Sequence, residues 1–333
     1  MLEKRLGVSA SYWITKNGKL VVSGKSNSLT RNMFRLLAGM MTTFGSKYWT
    51  NPQLIDEGGT GFTISPSSKF RDLYISRSLV GSSSQSYSFT DYKLYGYDPS
   101  KSSCWELTKV KDITISGSTV SFSGASKVEI LSDFTINEIG LEANYAGRPF
   151  LVARDLISSL SVRAGDVLMV GYEICLGGGN DITNHLRRAL ANTLTGTGTR
   201  GFSAVSVRDY KGAYWSPPSP DETLSVLGVS NGAVGSGSKG LDPEDYQLVS
   251  LLAATSNIGR GAADITDTSD GVYFDFYMVF PGPISGTIKE ICQYFHYSSV
   301  LGMLSRADLT STPYTVGSGE SLRADVRYTI KKA

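Results

Sequence analysis

Two histidines are the side chains with which this chain could carry out acid–base or nucleophilic chemistry, because imidazole changes charge near neutral pH. They are His185 and His296, and they occupy non-equivalent positions of a sequence that otherwise repeats itself. No cysteine or serine motif stands with either of them, so neither belongs to a recognisable triad or metal site. We expect His185 on the polar side of a helix and His296 in a strand.

Carboxylates are the second group that could do chemistry, and they are scattered singly along the chain. A glycosidase needs two of them facing each other across a cleft, and such a pair could come only from the fold. Asp155 and Asp308 recur at the same position of the repeat, and each is expected to pair at a strand end with its neighbour, Arg154 or Arg306. The sequence therefore predicts no catalytic residue, no metal, no cofactor, and a protein that is not an enzyme.

Aromatic residues are better candidates for recognition. Tyr214 and Trp215 lie within residues 210–222, which are expected to form an insertion in the second half of the chain. An exposed Tyr-Trp pair in a loop can stack on a sugar or insert into a neighbouring subunit. The alternative is a loop that folds back onto its own sheet.

Composition argues against two classes of partner. The formal net charge is +2 and the pI is about 8.3, without the clustered lysines and arginines that nucleic acid requires. No uncharged apolar run is long enough to span a membrane and the N-terminus has no secretory signal, so the protein is expected to be made in the cytoplasm. Three cysteines are too few for a disulfide framework.

Similar sequence segments occur twice in the chain, in the same order and about 153 residues apart. They must form the elements that carry the histidines, carboxylates and aromatic residues named above. Glu138 and Glu290 are equivalent positions of this repeat, as are Asp155 and Asp308. A unit of this length is a whole domain and not a solenoid repeat. The matching segments are 28–38 with 181–191, 91–94 with 245–248, 112–114 with 264–266, and 136–139 with 288–291.

Composition and patterning predict a mainly β protein. The 36 glycines, 18 tyrosines and 13 phenylalanines are typical of many short strands joined by tight turns. We predict two tandem antiparallel β-sandwich domains, jelly-roll-like and each preceded by one amphipathic α-helix, over residues 1–177 and 178–333. The more local predictions are helices at 28–43 and 182–194, a strand at 87–97 and a glycine-rich loop at 231–240.

Three segments of the first half resemble a pattern found in virion proteins of tailed phages and related viruses. Ile136–Leu141 is similar to a strand that reads ITEIGLF in that family, Phe150–Leu156 to a partner strand ending in LLARD, and Val162–Val170 to a last strand introduced by VxAGD. Residues 27–37 resemble the amphipathic helix that precedes such a sandwich. The second half departs from the pattern, with Ala-Asp at 307–308 in place of Arg-Asp.

The resemblance implies a structural component of a virus particle, in the tail, neck, ring, fibre base or accessory shell. Such a protein assembles through symmetric interfaces with itself and with other virion proteins, and its location is the virion. One alternative is a double jelly-roll major capsid protein. Another is a receptor- or glycan-binding adhesin, or an extracellular filament subunit, in which the loop of Tyr214 and Trp215 meets a host-surface glycan.

Overall fold

A computed structural model describes this chain as a mainly β protein. Strands make up 58% of it and helices 8%, and the strands form several antiparallel sheets, so the mainly β prediction is confirmed. No helix among the described residues has the length and apolar character needed to cross a bilayer. The structure describes residues 1–26, 28–42, 50–65, 67–196, 201–216, 221, 228–297 and 300–333.

The first half opens with a long hairpin and continues with a helix and a series of strands. The hairpin turns at Asn17 and Gly18, which both have positive φ, as a type I′ turn requires. Its elements are β1 (Leu2–Lys16), β2 (Lys19–Ser26), α1 (Arg31–Met41), β3 (Leu54–Ile55), β4 (Gly61–Phe62), β5 (Leu73–Gly81), β6 (Ser102–Cys104), β7 (Thr108–Ser116), β8 (Thr119–Ile130), β9 (Phe134–Tyr145), β10 (Arg148–Val162) and β11 (Val167–Gly178).

The second half follows the same order of helix, short hairpin and strands. Its elements are α2 (Asn184–Leu194), β12 (Val207–Arg208), β13 (Tyr214–Trp215), β14 (Val229–Gly235), β15 (Leu251–Thr255), β16 (Ile258–Arg260), β17 (Thr266–Asp267), β18 (Gly271–Ile288), β19 (Glu290–Tyr297), β20 (Val300–Asp308) and β21 (Tyr314–Lys332). The strand order β10-β9-β5 of the first half recurs as β20-β19-β14, and the pair β11-β8 recurs as β21-β18.

Strand β1 joins the two halves in one ten-stranded sheet. β11 pairs antiparallel with one side of β1, and β21 pairs parallel with its other side over Leu2–Val8. β11 and β21 therefore run in opposite directions on the two sides of β1. The buried amine of Lys4 strengthens the junction, because its Nζ donates to the carbonyl oxygen of Arg306 at 2.8 Å and lies 3.6 Å from the carboxylate of Asp181.

Each helix packs between its own half and the other half. α1 lies against β10 of the first half and against β18 and β21 of the second, while α2 lies against β20 of the second half and β8 and β5 of the first. Arg35 of α1 donates to both carboxylate oxygens of Asp267 in β17, at 2.8 and 2.7 Å. Asn184 of α2 donates to the carbonyl of Gly117 at 2.8 Å. The buried apolar residues of both halves accordingly form one large cluster.

The first helix begins later than the predicted range 28–43. Leu29 forms an isolated β-bridge with Ala153, so the residues just before the helix are extended and belong to the edge of β10. Thr30 is consequently the N-cap residue, and Thr183 holds the same place before α2. The predicted start is wrong because pairing to β10 prevents residues 28–30 from turning into the helix.

Two other local predictions are wrong. Residues 87–97 form no strand, because the loop that contains them is held by hydrogen bonds from the Arg154 side chain to preceding carbonyl groups instead of by a neighbouring strand. The predicted loop at 231–240 is wrong for residues 231–235, which belong to β14 and include the fully buried Val234, whereas residues 236–240 form a loop as predicted. In both cases a long-range contact decides the local structure.

Candidate functional site

A short hairpin follows each helix, and in both halves one aspartate organises its turn. Asp209 accepts hydrogen bonds from the backbone amides of Lys211 and Ala213, both at 2.9 Å. Asp56 accepts the equivalent bond from the amide of Thr60 at 2.8 Å. Residues 210–215 are therefore not an insertion, as the sequence had indicated, but the counterpart of a hairpin that the first half also has.

The second-half hairpin places Tyr214 and Trp215 at the surface, with 65% and 42% of their areas exposed. Their rings point to opposite sides of the hairpin, because neighbouring residues of a strand alternate in direction. Tyr214 is opposite Arg208 and Trp215 is opposite the fully buried Val207. The two rings accordingly do not form one flat surface on which a single sugar could stack.

The exposed rings are held firmly. The guanidinium of Arg208 lies 3.8 Å from the ring centre of Tyr246 and 5.4 Å from that of Tyr214. The indole N–H of Trp215 donates to the carboxylate of Asp209 at 2.8 Å. Tyr210, in the turn of the same hairpin, is 41% exposed. We refer to Tyr210, Tyr214 and Trp215 together as the aromatic hairpin.

The equivalent place in the first half is closed by its own side chains. Phe62, the counterpart of Trp215, is 7% exposed and packs edge-on against Phe150 with ring centres 5.6 Å apart. In the second half Gly302 stands where Phe150 stands, and the ring of Phe295 on the adjacent strand fills the space, since a Cβ on Gly302 would lie 2.9 Å from it. The pocket that receives Phe62 is thus taken, and Trp215 is left at the surface.

A buried arginine holds a long loop in each half. In the first half the guanidinium of Arg154 donates to Glu138 at 2.6 Å, to Asp91 at 2.9 Å and to the carbonyl of Gln85 at 2.7 Å. The side chains of all three charged residues are at most 2% exposed. This cluster fixes the loop between β5 and β6.

The second half contains the same arrangement. Arg306 donates to Glu290 at 2.8 Å, to Asp245 at 3.0 Å and to the carbonyl of Lys239 at 2.7 Å. We call the two sets the arginine centres. In each centre one guanidinium binds two buried carboxylates, so Glu138 and Glu290 act as structural carboxylates.

Each arginine centre depends on a glycine in the adjacent strand. A Cβ on Gly81 would lie 2.6 Å from the carboxylate of Glu138, and one on Gly235 would lie 2.5 Å from that of Glu290. Only glycine leaves room for the carboxylate at these two positions. A glycine and a glutamate at corresponding positions of both halves are a sequence signal for the arginine centres. The two residues are far apart in the chain, so the sequence alone does not show that they are in contact.

Asp155 and Asp308 are not equivalent, and neither pairs with the adjacent arginine. Strand pairing places Arg306, and not Ala307, at the position of Arg154, so the predicted match is displaced by one residue. Asp155 is buried and accepts a hydrogen bond from the hydroxyl of Tyr172 at 3.0 Å, and burial raises its pKa. Asp308 lies at the end of β20, where it accepts hydrogen bonds from the following turn.

The prediction that His185 lies on the polar side of a helix at the surface is wrong. Its side chain is fully buried, and its Nδ1 lies 3.2 Å from a guanidinium nitrogen of Arg188 and 3.3 Å from the backbone amide of Arg208. Burial and the charge of Arg188 lower the pKa of His185 to about 4, so the ring is neutral at physiological pH. His296 lies in β19, in agreement with the predicted strand.

One pair of adjacent carboxyl groups does exist, and sequence reasoning missed it. Glu57 follows β3 and lies beside Glu142 of β9. Glu142 is paired with the guanidinium of Arg77 at 3.0 Å, while one oxygen of Glu57 is buried without a hydrogen bond. Burial and the charge of Glu142 raise the pKa of Glu57 to about 8. The pair borders an open hollow of about 280 Å³ that Glu142 lines and Glu57 does not.

Glu57→Gln is expected to change how the stability of the protein depends on pH. Between pH 4.5 and about 8 the Glu57 carboxyl keeps its proton in the folded protein but loses it in the unfolded chain. The free energy of unfolding therefore falls as pH rises through this window. Glutamine cannot ionise, and at pH 8 the variant should be more stable by about 1–3 kcal/mol, less than full burial would give. Urea unfolding at pH 5 and pH 8 measures this. The exposed Glu129→Gln is the control, and equal pH profiles for both variants would contradict the assignment.

No described residues form a cluster of three or more His, Cys, Asp or Glu side chains that could hold a metal ion. The geometry therefore brings together two structural arginine centres, one buried carboxyl pair and one exposed aromatic hairpin. No protein family, curated protein or solved structure matches this chain.

Proposed function

We propose that this protein is a non-enzymatic structural component of a virus particle that assembles with itself and with other virion proteins. It would serve in a tail, neck, ring, fibre base or accessory shell, with its two halves as tandem, intertwined β-sandwiches of jelly-roll type. Support comes first from the segments that resemble virion proteins. Glu138 and Arg154 belong to the ITEIGLF-like and LLARD-like segments, and together they form the first arginine centre.

The aromatic hairpin is the observation that carries the proposal. Tyrosine, tryptophan and arginine are the residue types that dominate the energy of protein interfaces. Here Tyr214, Trp215 and Arg208 are fixed before any partner arrives, by the contact of the Arg208 guanidinium with the Tyr214 ring and by the hydrogen bond from Trp215 to Asp209. Binding to a rigid surface loses little side-chain entropy, so this hairpin suits a permanent contact between subunits.

The polar groups of the described residues support a structural role over an enzymatic one. Catalytic acids and bases need a perturbed pKa in a cleft with access to substrate. Here His185 is buried and neutral, and the carboxylates of both arginine centres are buried and bound to the guanidinium groups of Arg154 and Arg306. Glu57 is the exception in its pKa, but it does not line the hollow beside it.

One alternative, a glycan-binding adhesin, fits these observations less well, and the other, a major capsid protein, is a form of the same function. A glycan-binding adhesin would gain from a flat aromatic surface, whereas Tyr214 and Trp215 point to opposite sides of their hairpin. A double jelly-roll major capsid protein is one form of the same assembling function. It differs from a tail, neck, ring, fibre-base or accessory-shell protein in the position of the protein in the particle and in its copy number.

Electron microscopy and light scattering of the purified protein test the proposal. Wild-type protein at high concentration should form rings, tubes or shells, and Tyr214→Ser should weaken assembly at least tenfold in the concentration required. Tyr314→Ser is the matched control, because Tyr314 is 55% exposed on β21, away from the hairpin. A protein that stays monomeric at every concentration, or that binds a glycan through Tyr214 without assembling, would overturn the proposal.

A further inference from the structure

The short hairpins that follow the two helices are attached to their sheets at the same place. The backbone amide of Glu57 donates to the carbonyl of Pro149 at 3.2 Å, and the amide of Tyr210 donates to the carbonyl of Leu301 at 3.0 Å. The aspartates that organise the two turns immediately precede Glu57 and Tyr210 in the chain. Glu57 and Tyr210 are therefore equivalent residues, and their side chains face equivalent parts of the two halves.

The chemistry of this side-chain contact differs between the halves. The carboxyl group of Glu57 forms a hydrogen bond with Glu142 of β9. The ring of Tyr210 meets that of Tyr294 of β19 edge-on, with ring centres 6.3 Å apart. Strand pairing places Glu142 and Tyr294 at equivalent positions of their sheets. The first half thus joins hairpin to sheet through two carboxyl groups, where the second half uses two aromatic rings.

The contact between the two carboxyl groups requires a proton, because an ionised carboxylate has no hydrogen to donate. Glu142 is the ionised member, since its side chain is 2% exposed and accepts from the guanidinium of Arg77 at 3.0 Å. Glu57 is accordingly the protonated member, and its second oxygen is buried without a hydrogen bond. Loss of the proton would leave two carboxylates side by side and largely out of water, which is unfavourable.

The charged groups around Glu57 compensate a second carboxylate only in part. Arg77 of β5 is beside it, but both the Nε and a terminal nitrogen of its guanidinium already donate to Glu142. The charge of Asp56, in the same turn, opposes ionisation of Glu57. Tyr97, in the loop after β5, is uncharged, because burial raises its pKa. One guanidinium would therefore have to serve two carboxylates.

The base of the first hairpin is held independently of Glu57. The side-chain amide of Asn32 in α1 donates to the carbonyl of Ile55 at 2.9 Å and accepts from its amide at 3.0 Å. On the other strand, Phe62 is buried, and the guanidinium of the exposed Arg148 of β10 lies 5.8 Å from its ring centre. The turn between these strands, residues 56–61, is therefore the part that depends on the carboxyl contact.

We propose that this turn is a proton-dependent latch, which lies on the sheet while Glu57 is protonated and separates from it once the proton is lost. The turn of the second half stays in place, because two tyrosine rings do not ionise near neutral pH. The inference goes beyond the function proposed above and does not depend on assembly.

The latch opens as pH rises. Burial and the charge of Glu142 raise the pKa of Glu57 to about 8 in the closed turn, whereas in the separated turn the carboxyl returns to its ordinary value of 4.5. The closed form is consequently most favoured below pH 4.5, loses its advantage as pH rises to about 8, and changes no further above that.

Hydrogen exchange at single amides, followed by NMR spectroscopy, tests the proposal. The protection factor of the Glu57 amide should be lower by about tenfold or more at pH 8 than at pH 6, whereas that of the Tyr210 amide should not change. Glu57→Gln should abolish the pH dependence, because glutamine cannot ionise, and the exposed Glu129→Gln should retain it. If both amides lose protection in parallel, the whole chain opens and the latch does not exist.

A titration of the carboxyl carbons by ¹³C NMR gives a second readout that needs no substitution. The carboxyl of Glu57 should change its chemical shift well above pH 4.5, over the same pH range in which its amide loses protection. A Glu57 carboxyl that titrates near pH 4.5, or one that titrates higher while its amide stays protected at every pH, would overturn the proposal. Either result leaves the proposed assembly function standing.

Discussion

Arg154→Met is expected to lower the free energy of unfolding by about 3–5 kcal/mol, because it leaves Glu138 and Asp91 buried without their counter-charge. The side chains of these two carboxylates are 0% and 2% exposed. Loss of the guanidinium also frees the loop whose carbonyl groups it binds. Arg306→Met should have an effect of similar size in the second half, since its partners Glu290 and Asp245 are buried to the same degree.

Urea unfolding of the two variants measures this effect, and Arg323→Met is the control. Arg323 makes an ion pair with Asp325, but its side chain is 57% exposed, and surface pairs contribute about 0–1 kcal/mol. If Arg154→Met were no more destabilising than Arg323→Met, the arginine centre would not hold the loop between β5 and β6.

Neither half of the chain is expected to fold alone. Without residues 179–333, β1 loses its parallel neighbour β21, the core under β8 loses α2, and the amine of Lys4 loses Asp181. Residues 1–178 should therefore show no cooperative thermal transition. Co-expression of both pieces should restore one, because every contact of the junction can form again between two chains.

Circular dichroism and thermal unfolding of the separate and co-purified pieces check this expectation. The intact chain is the reference for the transition temperature. A first half that unfolds cooperatively by itself, near the temperature of the intact chain, would contradict the dependence of each half on contacts with the other. It would favour two independent domains.

The sequence predicted what depends on local pattern. The hairpin at Asn17 and Gly18, the mainly β class and the presence of two helices follow from turn residues and from the spacing of apolar side chains. The equivalence of Glu138 and Glu290 was also readable as a repeat. Such features need only residues that are close together in the chain or matched in order.

The sequence could not predict contacts that depend on loop lengths and on the packing of distant elements. The spacing of the repeat drifts from 153 residues between the helices to 152 between Arg154 and Arg306. Asp155 and Asp308 were matched because each is followed by leucine, although strand pairing places Ala307 at the position of Asp155. His185 looked polar in the helix pattern, yet it is buried because α2 is covered from both halves. The Glu57 carboxyl group meets Glu142 only through the fold.

Cryo-electron microscopy of the assembled wild-type protein can show whether this chain works by permanent contact with other subunits. We expect an ordered assembly in which copies or partner subunits meet at the aromatic hairpin around Tyr214. A uniform population of single chains at high concentration, or an assembly in which the aromatic hairpin faces solvent, would contradict this expectation.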